Sequence, residues 1–103
     1  MKIEFNNAYL QKIFEGKHAA GKAKYNQEVI QKFKKTVLIL QYTESIKELR
    51  KFKGLNFEAL KGDFKGYYSV RVDLRYRLIL SVEKDSVVVS DVLIIEDLTN
   101  HYQ

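Results

Sequence analysis

A chain of 103 residues without cysteine, 46% hydrophobic and 30% charged, is sized for a single domain, residues 1–103, whose core forms without staples. The composition excludes a disulfide framework, a thiolate metal site and a cysteine nucleophile, and with His18 and His101 as the only imidazoles it argues against bound metal. A net charge of +5 points to a polyanionic partner, while the N-terminus has no apolar leader and no apolar run nears the roughly 20 residues of a membrane span, so a cytoplasmic protein without membrane contact is expected.

In chain order, residues 1–5 predict a short edge strand. Asn7 then starts a short helix over AYLQKIFEG, with Leu10, Ile13 and Phe14 on one face and Gly16 as its stop. GKHAAGKAKY, residues 16–25, is a basic connection. Asn26 is an N-cap for the next helix, where Val29, Ile30, Phe33, Val37 and Leu40 recur at helical spacing and Glu28 suits the positive end of the dipole. Ser45 and Glu48 match a capping box before the stripe Ile46, Leu49 and Phe52, with Gly54 expected as the C-cap.

From Asn56 the period changes to two. Tyr68, Val70 and Val72 alternate with polar neighbours, and Tyr76, Leu78 and Leu80 do so again after a three-residue loop at Asp73, Leu74 and Arg75. A third strand over residues 86–97 is expected after a turn at Glu83, Lys84 and Asp85. Helices first and an antiparallel meander afterwards is an α+β layout, with the N-terminal helices packed on one face of a small, mainly antiparallel sheet and the other face left for binding.

The charge is uneven. Residues 47–77 hold nine cations against four anions, whereas residues 78–103 sum to −4. If Val72 pairs with Tyr76, Arg71 sits opposite Arg77, and like charges facing across a sheet are destabilising. Two readings offset that cost. One is solvation with intramolecular partners such as Glu58, Asp63 or Asp73; the other is a bound phosphate, which two guanidiniums on rigid strands suit as fork-shaped donors, with Lys61 and Lys65 extending the site along a nucleic-acid backbone. The stretch KGDFKG, residues 61–66, lacks the Gly-Lys-Ser/Thr ending of a phosphate-binding loop, so nucleoside triphosphates are disfavoured and Gly62 and Gly66 fit a tight turn. Asp97 and His101 are four apart, a spacing at which a helical turn lets the carboxylate orient the imidazole beside Tyr102, although a histidine so near a C-terminus is more often solvated. Glu58 is the other base close to the cations.

The block LKGDFKGYYSVRVDLRYR, residues 60–77, together with LQKIFEG near the start and the pair Glu96-Asp97 ending the last strand, resembles the RelE/ParE superfamily of toxins, specifically its HigB-type plasmid-maintenance killer branch. The resemblance runs nearly end to end. It implies a microbial-ribonuclease-like α+β fold and the toxin of a type II toxin–antitoxin system, a ribosome-dependent mRNA endoribonuclease restrained by a cognate helix-turn-helix antitoxin. The implied chemistry is 2′-hydroxyl attack on the adjacent phosphate, without metal or small-molecule cofactor. Matched by position, Lys61 and Arg77 would stabilise the phosphate and Asp97 would join a C-terminal catalytic cluster with His101 and Tyr102. The charge argument adds Lys65, Arg71 and Arg75 as RNA-binding residues. Members of that branch often carry His where this chain has Glu58, and often end in Glu-Asp-Tyr-His, whereas here Leu-Thr-Asn separates Asp97 from His101 and Tyr102. Two other classes stay open: a toxin of the same fold that inhibits DNA gyrase by binding, and a non-catalytic basic RNA-binding relative.

Overall fold

Two asparagines begin the principal helices. The computed structural model describes residues 1–19, 21–85, 87 and 90–100. The side chain of Asn7 accepts from the Leu10 amide at 3.1 Å and opens α1, Ala8–Phe14; that of Asn26 accepts from the Val29 amide at 2.9 Å and opens α2, Gln27–Tyr42. Each cap satisfies a backbone donor that the first turn would otherwise leave unpaired. Gly16, at φ +75°, lets the chain leave α1 in the left-handed conformation that residues with a Cβ rarely adopt.

Ser45 caps the short α3, Ile46–Leu49, by accepting from the Glu48 amide, while the Glu48 carboxylate reaches back to the Glu44 amide rather than to that of Ser45. The expected C-cap at Gly54 is not there. The chain makes a 3-10 turn at Lys53–Leu55, and the left-handed residue that ends it is Asn56, at φ +46°. Asparagine occupies this region more readily than other non-glycine residues, because its short polar side chain can bond locally.

The strands are β1 Lys2–Phe5, β2 Glu58–Ala59, β3 Tyr68–Arg71, β4 Arg77–Asp85 and β5 Ser90–Thr99, in the sheet order β1-β5-β4-β3-β2. β1 lies parallel to β5 at one edge, and the remaining pairs are antiparallel. One sheet face packs on the helices. Leu10, Val29, Phe33, Val37 and Leu40 join Val70, Leu78, Leu80, Leu93, Ile95 and Leu98 in one buried cluster, which is the α+β layout expected from the sequence. Among the described residues no helix is long and apolar enough to cross a membrane.

Two strand boundaries differ from expectation. Glu83, Lys84 and Asp85 do not form the turn: they continue β4, pairing with Val92, Asp91 and Ser90, and Lys84 meets Asp91 at 3.1 Å. Charged side chains imitate a turn in sequence but are equally at home on a solvated two-stranded ribbon. At the other end, β5 does not stop at Glu96-Asp97. It continues through Thr99, so the helical turn expected from Asp97 onward is overturned, and Asp97 is a strand residue paired with Ile79. Leu80 pairs with Ile95 while Ile79 pairs with Asp97, leaving Glu96 as the extra residue of a β-bulge. Its carboxylate accepts from Ser81 Oγ at 2.5 Å and from Asn6 Nδ2 at 2.8 Å, which fastens the bulge to its neighbours.

Candidate functional site

Away from the helices, the pairing aligns Glu58, Ser69, Ile79 and Asp97 in one row across β2, β3, β4 and β5, and Arg71, Arg77 and Thr99 in the next. Directly paired residues share a face. The hairpin that sets this register closes with Val72 N–H donating to the Tyr76 carbonyl at 3.0 Å, while Asp73 Oδ1 accepts from the amides of Arg75 and Tyr76 at 2.8 and 2.7 Å. An aspartate that pins its own turn in this way fixes the loop without glycine.

Arg71 and Arg77 are therefore cross-strand partners, as the alternation required, yet they are not equivalent. Arg71 is exposed. Arg77 is 8% exposed: its Nε donates to Ser69 Oγ at 2.9 Å, and its Nη2 donates to the Asn56 carbonyl at 2.6 Å and the Ser69 carbonyl at 3.4 Å. Turning one guanidinium inward onto neutral acceptors offsets the repulsion and locks its orientation. Asn56 also donates from Nδ2 to Glu58 Oε1 at 3.3 Å, so one left-handed residue positions both the arginine and the carboxylate.

These groups line a shallow concavity of about 290 Å³, formed by Asn56, Glu58, Arg71, Asp73, Leu74, Arg75, Arg77 and Asn100. It joins four of the residues singled out from the sequence: Glu58, Arg71, Arg75 and Arg77. Lys61 and Lys65 lie beyond its lining on the exposed loop between β2 and β3, which turns at Gly62 and Gly66, φ +64° and +96°, and closes with Leu60 N–H donating to the Tyr67 carbonyl at 2.9 Å. Asp97 is exposed and outside the lining as well, and its Oδ1 accepts from the following Leu98 amide. It stands three strands from Glu58 in the same row, roughly 14 Å at the usual strand spacing. His101 and Tyr102 are outside the described residues.

Sequence reasoning missed Asn56, Ser69, Asn100 and Tyr25. Ser69 is fully buried beneath Arg77, and only the period-two pattern, which sets it on the same face as Arg71 and opposite Ile79, hinted at its place. Tyr25 closes the basic connection: its hydroxyl donates to the Leu98 carbonyl at 2.7 Å, and its ring meets Tyr76 edge-on at 5.8 Å. Burial first, and the charge of Asp97 second, push the Tyr25 hydroxyl up to about 12. Among the described residues no three His, Cys, Asp or Glu side chains are grouped as metal ligands would be.

Over residues 3–94 the sequence matches the family model described as HigB-like toxin, a RelE-like toxin of type II toxin–antitoxin system HigB. Several solved structures share the fold. A YoeB/ParE toxin from Agrobacterium tumefaciens is similar with a TM-score of 0.61 at 19% identity, covering 99% of this chain and 100% of its own. YafQ from Escherichia coli gives 0.57 at 16% identity, over 97% and 92% of the two chains. A chain from the heterotetrameric YoeB–YefM toxin–antitoxin complex of Staphylococcus aureus gives 0.52 at 23% identity, over 99% and 98%. No curated protein matches the sequence.

Proposed function

Because this chain belongs to the HigB-like, RelE-like toxins of type II toxin–antitoxin systems, we propose that it is an endoribonuclease that cleaves mRNA on the ribosome. The observation that carries this reading is the Glu58 carboxylate in one concavity with the locked Arg77 and the exposed Arg71. RNA carries its own nucleophile, so the protein must supply a base, an acid and cations rather than a covalent intermediate.

In the proposed step, Glu58 takes the proton of the ribose 2′-hydroxyl as the 2′-oxygen attacks phosphorus. A bond forms from phosphorus to the 2′-oxygen and the bond to the 5′-oxygen breaks, leaving a 2′,3′-cyclic phosphate. The departing 5′-oxygen takes a proton from an acid, a role assigned to His101. Arg77 and Arg71 stabilise the charge that builds on the non-bridging oxygens, as guanidiniums suit a phosphorane. Lys61, Lys65 and Arg75 hold flanking phosphates. As the toxin of its module, the protein would be held inactive by a cognate antitoxin, which the family resemblance implies to be a helix-turn-helix protein; restraint by a bound antitoxin is supported by the YoeB–YefM complex of the structural relative.

Expression without an antitoxin tests this. Arrested growth, with new transcript 5′ ends that carry hydroxyl groups, is expected; unimpaired growth with intact transcripts contradicts the proposal.

A further inference from the structure

Arg71 lines a second groove as well. A cleft of about 340 Å³ is lined by Lys32, Lys35 and Ile39 of α2, by Arg71 at the end of β3 and Val72 just after it, and by Phe52. Its volume is in the range of small-ligand clefts. Three cations line it, and among the described residues of the lining there is no carboxylate. Lys32 meets Glu28 at 3.3 Å on the solvent side of α2, an exposed pair of the kind that contributes little and exchanges readily. Phe52 is 44% exposed, a large apolar area for a ring whose chain neighbours are the cations Lys51 and Lys53.

A cationic groove with a half-exposed aromatic ring is the combination that holds single-stranded nucleic acid, the cations following phosphates while a base stacks on the ring. Arg71 belongs to both linings, so a strand bound at the Glu58–Arg77 concavity has this groove as its neighbour, which favours this occupant over a protein segment. We infer that the groove between α2 and β3 is a nucleotide subsite, in which RNA leaving the scissile phosphate passes over Arg71, rests its next phosphates on Lys32 and Lys35, and stacks a base on Phe52. The inference rests on the endoribonuclease reading and adds to it a path for the strand.

The test uses isotope-labelled protein, followed by amide chemical shifts, and RNA probes blocked against cleavage by 2′-O-methylation: a dinucleotide and a hexanucleotide. The dinucleotide shifts signals around Glu58, Arg71 and Arg77 alone, and the hexanucleotide also shifts residues 32–39 and 52–55. Lys32→Glu with Lys35→Glu, both exposed and remote from the core, weakens the hexanucleotide at least tenfold, leaves the dinucleotide unchanged, and lowers the slope of log affinity against log salt by about 1.4, at roughly 0.7 for each phosphate no longer neutralised. Phe52→Ala weakens the hexanucleotide roughly 5- to 160-fold. A hexanucleotide that shifts only the concavity, or that binds the double variant as it binds wild type, overturns the subsite while leaving the nuclease reading intact. A groove shifted by the antitoxin but not by RNA is a protein interface and overturns it too. If neither probe shifts the groove, the subsite is overturned, while the nuclease reading is decided separately by cleavage of ribosome-bound mRNA.

Discussion

Arg77 Nε donates to Ser69 Oγ at 2.9 Å across β4 and β3, and both side chains are buried. This bond and the one to the Asn56 carbonyl turn a flexible cation into a fixed one, as the transition-state role proposed for Arg77 requires. Ser69→Ala leaves the Nε proton buried without that acceptor, and the expected loss of stability is about 1–2 kcal/mol by chemical denaturation. On the proposed mechanism cleavage should fall with little change in KM, since Arg71 would remain to meet ground-state RNA; a Ser69→Ala enzyme with unaltered kcat would make the bond structural only.

Asn56 holds the positive φ on which both site groups depend. Asn56→Gly keeps the backbone conformation and the carbonyl acceptor for Arg77 but loses the side-chain bond to Glu58, whereas Asn56→Ala adds backbone strain of roughly 1 kcal/mol or more. Thermal unfolding should therefore rank wild type first, glycine next and alanine last. Alanine at least as stable as glycine would refute the strain argument.

Tyr25 supplies a pH signature. Its hydroxyl is raised from the ordinary 10 to about 12, so the fold favours the neutral form. The stability from that preference is complete below pH 10 and is lost as pH rises from 10 through 12. Other tyrosines ionise over the same range, so the comparison is with Tyr25→Phe: the wild-type Tm should exceed that of the variant at pH 8, and the gap should narrow toward pH 12. A constant gap would show that Tyr25 ionises as readily folded as unfolded.

Much of this architecture was legible in local signals. The caps at Asn7, Asn26 and Ser45 and the stripe through Phe33 and Leu40 followed from short-range chemistry, and the Arg71–Arg77 pairing followed from counting outward from Val72 and Tyr76. What escaped depended on neighbours distant in sequence. Nothing in the alternation of β5 announces the bulge at Glu96, because the residues that fasten it come from elsewhere, Asn6 from just beyond β1 and Ser81 from β4. Gly54 was the obvious choice for a left-handed cap, but the turn closes two residues later, where Asn56 can serve Arg77 and Glu58 together. The concavity itself was half visible. Its cations stood out as a cluster, while Ser69, buried and uncharged, gave no signal that it would orient one of them.

The proposed chemistry turns on Glu58 as the base beside a fixed arginine. The most direct measurement is single-turnover cleavage of ribosome-bound mRNA by wild type and Glu58→Gln, with melting temperatures recorded alongside. Glutamine keeps the shape and the acceptor for Asn56 but cannot take a proton, so the predicted result is a rate about 10²- to 10⁴-fold lower at an unchanged Tm. A Glu58→Gln enzyme that cleaves at the wild-type rate would contradict it.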